Sequence, residues 1–245
     1  MTSTQHQGRT ALITGADRGI GLALARRLGA AGANLVLHSH NAAGLEAAVR
    51  AEGWAEDRVL TAVHDVADAS AVEQAVAAAT DRFGTIDYLL NVAGIVHFGG
   101  VADCTVEQWE RTLQTNLTGY FLMARTVLPG MRAAGTGTIV NMSSIWGRRP
   151  APATLAYSVS KYGVEGLTKC LAEEARPWGV KVSSLVLDKV DTDFREGMAA
   201  HVDYDAEQRA RMLSADDVAD ATLAILESSG RAHPSSVELD AWRWV

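Results

Sequence analysis

Short apolar segments rich in β-branched residues alternate with amphipathic helical patterns along almost the whole chain. We predict six largely buried strands, at residues 9–14, 34–38, 59–63, 86–90, 137–142 and 180–187. After the third of these, Val72, Val76, Ala79 and Phe83 recur at helical spacing and share one helix face. Repeated strand–helix units require a parallel sheet with right-handed crossovers. The sequence therefore predicts an α/β fold, with one doubly wound parallel sheet and helices on both faces.

Length and charge agree with such a Rossmann-like sheet and exclude several other classes of protein. The chain has 245 residues, which we assign to one domain, because doubly wound sheets of this length routinely form a single unit. Its net charge of −7 gives no basic excess for binding nucleic acid or an anionic membrane. Two cysteines are too few for a disulfide framework, and no segment has the pattern of a signal peptide or a spanning helix. We expect a cytoplasmic protein that acts on a small molecule.

Two segments depart from the strand–helix alternation. Residues 191–211 are polar and weakly periodic, and they follow the sixth predicted strand, where a substrate lid would lie in such a fold. A solvated connection is the alternative. Residues 237–245 predict a last strand with Trp242 and Trp244 on one face, buried either at a subunit interface or within the same chain.

A glycine-rich turn, TGADRGIG, joins the first predicted strand to a helix. Glycines permit a tight turn and let backbone N–H groups approach a pyrophosphate, which a helix N-terminus also favours. The spacing GxxxGxG differs from the GxGxxG pattern of many dinucleotide sites, but the strand–turn–helix context still favours such a site over a simple tight loop. The predicted cofactor contacts here are Gly15, Asp17, Arg18, Gly19, Ile20 and Gly21.

The end of the second predicted strand bears on the choice between NAD(H) and NADP(H). An acidic residue there would accept from the adenosine ribose hydroxyls and repel a 2′-phosphate. The chain instead has Ser39 and His40, with Arg18 as a nearby cation, so we expect NADP(H) to be favoured and NAD(H) to be possible. Asp17 weakens this argument because it adds a negative charge. We predict no metal site, since His38 and His40 lack a third clustered ligand.

A tyrosine and a lysine four residues apart open another helical pattern. Tyr157 and Lys161 share one helix face at this spacing. A neighbouring ammonium stabilises a phenolate and lowers the pKa of the phenol, which suits the tyrosine to proton transfer near neutral pH. Ser144 follows the fifth predicted strand, and strand ends of this kind meet the cofactor crevice. These three residues predict a catalytic centre.

The motifs and their order resemble those of the short-chain dehydrogenase/reductase family over essentially the whole chain. The glycine turn matches the family's TGxxxGxG element, and Tyr157 with Lys161 matches its YxxxK element. Asn91-Val92-Ala93-Gly94 matches the family's NNAG element with one change. The family's helix asparagine corresponds to Asn116, and its serine corresponds to Ser144.

The resemblance implies an NAD(P)-dependent oxidoreductase that interconverts a secondary alcohol and a ketone or aldehyde by hydride transfer. Tyr157 would be the general acid/base, and Ser144 would hold the substrate oxygen. Lys161 would lower the Tyr157 pKa and bond the nicotinamide ribose, while Asn116 would anchor a water that relays the proton. The resemblance also implies a homodimer or homotetramer, and further cofactor contacts at Asp65, Val66, Asn91, Ala93, Gly94, Val190 and Thr192.

One departure from the family pattern lies after the sixth predicted strand, where Leu187-Asp188 replaces a Pro-Gly pair. If Asp188 faces the nicotinamide, its charge would favour the oxidised cofactor or bind a polar substrate group. The alternative is that Asp188 turns to solvent or pairs with Lys189. We predict substrate contacts at His97, Trp146 and Asp188.

Two rival functions would retain the same fold. One is a non-catalytic dinucleotide sensor, for which Leu187-Asp188 is the one supporting feature. The other is an isomerase or dehydratase. The intact Ser144, Tyr157 and Lys161 favour the oxidoreductase over the sensor.

Overall fold

A computed structural model describes residues 6–194 and 204–244, and its strands form one seven-stranded sheet. All strands pair in parallel, in the spatial order β3-β2-β1-β4-β5-β6-β7. The predicted doubly wound parallel sheet is confirmed. The strands are β1 (Thr10–Thr14), β2 (Asn34–Ser39), β3 (Val59–Val63), β4 (Tyr88–Asn91), β5 (Gly137–Ser144), β6 (Val180–Leu187) and β7 (Ser236–Leu239).

Helices connect the strands and cover the sheet. Asp68 caps the third helix by accepting from the Ala71 N–H. A π-helical turn at Gln114–Thr118 joins the fourth helix to the fifth. In the described part of the chain, no helix has both the length and the apolarity needed to cross a membrane. The helices are α1 (Gly19–Ala30), α2 (Ala42–Glu52), α3 (Ala69–Phe83), α4 (Val106–Leu113), α5 (Gly119–Ala134), α6 (Leu155–Ala175), α7 (Ala206–Arg209) and α8 (Ala215–Leu226).

Two hydrophobic cores lie on opposite faces of the sheet, because successive residues of a strand point to opposite sides. Ile13 and Leu37 face the core that α1 and α8 cover. Leu12 and Val36 face the core that α3, α5 and α6 cover. With both faces buried, the carboxyl ends of the central strands remain available at one edge for a binding site.

The predictions for β3 and for the last strand differ most from the structure. β3 is the edge strand, and its alternate residues are exposed, with Val63 51% accessible, because the sheet continues on one side of it only. The last strand ends at Leu239, so Trp242 and Trp244 do not share a strand face. Trp244 packs within the chain against Tyr204, with ring centroids 5.1 Å apart. Trp242 is 92% exposed, and its place at a subunit interface stays a prediction.

The strand order reverses direction between β1 and β4, where a single side chain ties the two strand ends together. The Thr14 hydroxyl oxygen accepts from the backbone N–H groups of Val92, at 2.8 Å, and Ala93, at 3.0 Å. Reversal points of this kind open a crevice outside the carboxyl ends of the strands. The fold therefore places a crevice beside the glycine turn.

Candidate active site

A cleft opens at the carboxyl ends of β1, β4, β5 and β6, and most of the predicted site residues line it. All six residues predicted in the glycine turn do so. The other predicted residues that line the cleft are Ser39, His40, Asp65, Val66, Ala93, Gly94, Ser144, Trp146, Tyr157, Lys161, Asp188, Val190 and Thr192.

Two predicted asparagines lie beside the cleft rather than in its wall. Asn91 is buried and donates to the side-chain oxygen of Asn141 at 2.9 Å, which ties β4 to β5. Asn116, in the π-helical turn, accepts from the Ile95 N–H at 2.8 Å and donates to the Ile95 carbonyl at 2.9 Å. Both side chains therefore hold backbone that borders the cleft, and the water relay assigned to Asn116 stays a prediction.

The glycine turn leaves no room for side chains where a dinucleotide pyrophosphate would lie. A Cβ on Gly21 would stand 2.1 Å from the carbonyl oxygen of Gly15. Gly15 itself has φ +66°, and a Cβ there would lie 3.2 Å from the Ala93 Cα. Helix α1 begins at Gly19, and its N-terminus supplies unpaired N–H groups and the positive end of the helix dipole. These residues fit the phosphates of NAD(H) or NADP(H).

Charges of both signs meet at the end of β2. The Asp17 carboxylate accepts from the Ser39 hydroxyl at 2.7 Å and from the Asn41 side-chain amide at 3.4 Å. Arg18 lines the same part of the cleft and forms no ion pair with any residue the structure describes. The end of β2 has no carboxylate of its own. The glycine turn therefore supplies both a carboxylate, Asp17, and a cation, Arg18, at this place.

Two further groups lie in this part of the cleft that sequence reasoning did not select. Arg111 of α4 forms an ion pair with Asp65, which is 46 residues away in the chain, so no local pattern could reveal the contact. The His38 ring contacts the His64 ring at a tilt of 58°, with ring centroids 4.3 Å apart. Burial, aided by His64, lowers the pKa of His38 to about 4, so this imidazole is neutral near pH 7.

Tyr157 and Lys161 lie one turn apart in the first half of α6, and both are buried. The Lys161 ammonium donates to the Met142 carbonyl at 2.8 Å and lies 5.7 Å from the centre of the Tyr157 ring. Burial lowers the pKa of Lys161 to about 7. Near neutral pH the charge of this lysine therefore depends strongly on neighbouring groups.

Ser144 is the last residue of β5 and pairs with Leu187 of β6. Its hydroxyl oxygen accepts from the Trp146 N–H at 3.2 Å, a bond that does not use the hydroxyl proton. A substrate oxygen in the cleft could therefore accept that proton. Position at a strand end, rather than any local motif, brings this serine to the same cleft as Tyr157.

Two aromatic side chains that line the cleft, Trp146 and Phe194, contact Tyr157. The Trp146 ring meets the Tyr157 ring edge to face, with centroids 5.8 Å apart, and the Phe98 ring also meets the Trp146 ring edge to face, with centroids 6.2 Å apart. Phe194 lies 6.1 Å from the Tyr157 ring. Phe194 and Tyr204 both line the cleft and belong to the predicted lid, whose residues 195–203 lie outside the described part of the chain.

The other two predicted substrate contacts have partners within the chain. His97 does not line the cleft, because its Nδ1 lies 2.9 Å from the Thr112 hydroxyl on the α4 side. Asp188 lines the cleft and pairs with the Lys189 ammonium at 3.2 Å, which is the alternative considered for it. The Asp188 N–H also donates to the Leu239 carbonyl at 3.1 Å, so the backbone continues the pairing of β6 with β7.

The fold and the cleft together define a class of protein. Doubly wound sheets bind dinucleotides outside the carboxyl ends of their strands, and the glycine turn, which has no room for a side chain at Gly15 or Gly21, lies in that crevice. An ionisable hydroxyl beside a buried lysine lines the same cleft. This combination is typical of oxidoreductases that depend on a nicotinamide dinucleotide.

Comparison with known proteins agrees with this class. The family model for short chain dehydrogenases matches residues 9–203. Trans-4-hydroxycyclohexanecarboxylate dehydrogenase from Sinomonas cyclohexanicum is 40% identical over 196 residues, covering 78% of this chain and 75% of the relative. D-beta-hydroxybutyrate dehydrogenase from Rhizobium meliloti is 39% identical over 179 residues, covering 72% of this chain and 69% of that relative.

Solved structures match over nearly the whole chain. The 3-ketoacyl-(acyl-carrier-protein) reductase from Brucella melitensis, complexed with NADH, has a TM-score of 0.84 and 29% identity, covering 98% of this chain and 99% of the other. A metagenomic short-chain oxidoreductase in complex with NADP has a TM-score of 0.81 and 30% identity, with coverages of 95% and 97%. The chain belongs to the short-chain dehydrogenase family and is an NAD(P)-dependent oxidoreductase.

Proposed function

We propose that the protein interconverts a secondary alcohol and a ketone or aldehyde, with Tyr157 as the general acid/base. The observation that carries this proposal is the buried Lys161 ammonium, one helical turn from Tyr157 in the cleft that contains the glycine turn. A positive charge at this distance stabilises the phenolate form of the tyrosine. The relatives' names, which include dehydrogenases and reductases, support the reaction class.

In the proposed mechanism each catalytic side chain acts on the substrate oxygen, directly or through a neighbour. Tyr157 takes the hydroxyl proton during alcohol oxidation and returns it during carbonyl reduction. Ser144 donates its hydroxyl proton to the same oxygen and fixes its position. A nicotinamide dinucleotide held at the glycine turn would supply the hydride donor or acceptor for the carbon that bears this oxygen. Asn116 acts indirectly, because its two bonds to Ile95 fix the loop beside the cleft.

We propose that NADP(H) is the favoured cofactor and that Arg18 is its main selectivity residue. Arg18 forms no ion pair with any described residue, so its guanidinium is available for a 2′-phosphate. Asp17 acts in the opposite sense, because its carboxylate at the end of β2 would repel that phosphate. Ser39 and His40 supply further polar groups at the same place.

Replacing Arg18 by alanine should weaken NADP⁺ binding by about 10- to 100-fold, the usual loss for a charge-assisted hydrogen bond. NAD⁺ binding should change little, because NAD⁺ lacks the 2′-phosphate. Fluorescence titration with both cofactors measures the two dissociation constants. Asp17→Asn provides the opposite control and should raise the preference for NADP⁺. A wild-type protein that prefers NAD⁺ would contradict the proposed selectivity.

We propose that the substrate carries its alcohol carbon in or beside an apolar ring. Trp146 and Phe194 flank Tyr157 with aromatic surfaces, and such surfaces complement a flat or compact apolar ring better than a flexible chain. The relative that acts on a hydroxycyclohexanecarboxylate supports this class. Hydroxybutyrate is a linear molecule, so the relative that acts on it supports a linear substrate as the second candidate.

Replacing Trp146 by alanine should lower kcat/KM for cyclohexanol-type substrates by about 10-fold, because one aromatic wall of the cleft is lost. The kcat/KM for linear secondary alcohols of the same carbon number should fall less. Trp242→Ala is the matched control, since Trp242 is exposed. Equal losses for ring and linear substrates would assign Trp146 a structural role.

A substrate screen that follows the absorbance of the reduced nicotinamide tests the function itself. Net turnover of an alcohol or ketone supports the oxidoreductase, whereas cofactor binding without turnover supports a sensor. Conversion of a substrate without a net change in cofactor absorbance supports an isomerase or dehydratase. The cytoplasmic location, the homo-oligomer and the single domain over residues 1–245 stay predictions.

A further inference from the structure

A buried carboxylate lies one helical turn beyond the catalytic lysine. Glu165 follows Lys161 by four residues in α6, so the two side chains are neighbours on one helix face. Glu165 is 8% exposed, although glutamate is among the residues that are least often buried. The mechanism above does not use this residue, and its burial therefore requires an explanation.

The contacts of Glu165 compensate the charge of its carboxylate only in part. Its Oε2 atom lies 3.4 Å from both the Arg148 guanidinium and the Ser184 hydroxyl, which are long contacts. Its buried Oε1 atom has no hydrogen-bond partner within the described residues. Arg148 is shared with Glu238 and Ser236 of β7. The positive charge of Arg148 is therefore shared and does not serve Glu165 only.

We propose that Glu165 is a positioning residue whose carboxylate keeps the Lys161 ammonium charged inside the protein. Its consequence for catalysis rests on the proposed function of Tyr157, because only a charged lysine stabilises the tyrosine phenolate. The inference about the charge itself stands on the position and burial of the two side chains.

Among the residues that the structure describes, few other charges near Lys161 could do this. Two tyrosine rings face it, Tyr157 from α6 and Tyr120 from α5, whose ring centre lies 5.3 Å away. Burial lowers the pKa of Lys161 to about 7, and the Glu165 carboxylate acts in the opposite direction and raises it. The guanidinium of Arg148 opposes Glu165.

Farther out, Glu238 of β7 compensates Arg148 and also pairs with Arg149, whose guanidinium is 3.1 Å away. The carboxylates of Glu165 and Glu238 therefore both favour the protonated lysine, and the two arginines act against them. Removing either carboxylate should lower the pKa of Lys161, with the larger effect at Glu165, which is one turn away.

The direct test is the titration of Lys161 in the cofactor-free protein. Lysine labelled with ¹³C at Cε gives one resonance for each of the four lysines, and the spectrum of Lys161→Met assigns the one of interest. In Glu165→Gln the titration midpoint of Lys161 should fall by about one pH unit, as expected for the loss of a nearby buried charge. Glu165→Asp, which keeps the charge, should stay close to the wild type.

Two further variants control this experiment. Glu173→Gln removes the same charge from an exposed position farther along α6 and should leave the Lys161 midpoint unchanged. Glu238→Gln changes a partly exposed residue of β7 and should shift the midpoint in the same direction as Glu165→Gln, by a smaller amount. This second variant keeps the inference testable if Glu165→Gln does not fold.

The pH profile of kcat provides the catalytic readout. Because Glu165→Gln lowers the pKa of Lys161, the ammonium is lost at lower pH, and the alkaline decline of activity should begin at lower pH than in the wild type. An unchanged Lys161 midpoint in folded Glu165→Gln, even with a lower melting temperature, would overturn the inference. A wild-type protein without any turnover would overturn the proposed function only, since the NMR titration does not depend on activity.

Discussion

Replacing Tyr157 by phenylalanine should lower kcat by about 10²–10⁴, the usual contribution of a positioned acid–base group. The ring remains, so its contacts with Trp146 and Phe194 and the shape of the cleft are kept. Cofactor affinity should stay near the wild-type value, because the glycine turn is unchanged. Steady-state kinetics with a substrate from the screen, together with a cofactor fluorescence titration, measures both quantities.

Tyr162 supplies a matched control for this experiment. It lies on the same helix, is 45% exposed, and its hydroxyl donates to the Arg148 carbonyl outside the cleft lining. Tyr162→Phe should therefore change stability slightly and kcat little. If Tyr157→Phe kept full activity, the protein would need a different acid–base group and the proposed mechanism would be wrong.

Replacing Gly21 by alanine should lower the free energy of unfolding by about 3 kcal/mol and largely remove cofactor binding. The new Cβ would meet the backbone carbonyl of Gly15, and backbone atoms cannot rotate away as a flexible side chain can. This clash can be relieved only if the turn moves away from the start of α1. Such a movement displaces the N–H groups that would bind the phosphates. Urea denaturation and a cofactor titration measure the two effects.

Gly166→Ala is the control for the glycine turn. Gly166 lies in α6, and a Cβ there would have no neighbour within 4 Å. Alanine should stabilise this helix by a few tenths of a kcal/mol to about 1 kcal/mol. If Gly21→Ala bound NAD(P)H as tightly as Gly166→Ala, the turn would not be the phosphate site.

Local patterns in the sequence were sufficient to predict most of the fold and much of the cleft. Strands buried on both faces are continuous apolar segments, so β1, β2 and β6 could be located to within a residue at each end. The Gly15–Gly21 turn and the Tyr157–Lys161 pair have fixed spacing because each is set by a single turn or helix. The residues that form each of these features are close together in the sequence.

The features that sequence reasoning missed depend on contacts between distant segments. The ion pair between Arg111 and Asp65 and the bond between Asp17 and Ser39 join separate elements across the cleft. β3 has the composition of a buried strand, yet it lies at the edge of the sheet, which only the strand order determines. Trp244 turns back onto Tyr204 because β7 ends at Leu239.

The two hydrogen bonds that the Thr14 hydroxyl oxygen accepts have a consequence for how this cleft can change. Beyond the backbone pairing of β1 with β4, one hydroxyl oxygen that accepts from two N–H groups holds the two strand ends together at the crevice. Valine at this position has nearly the same volume but would leave both donors without a partner. Loss of this one hydroxyl group would therefore alter the mouth of the cleft directly.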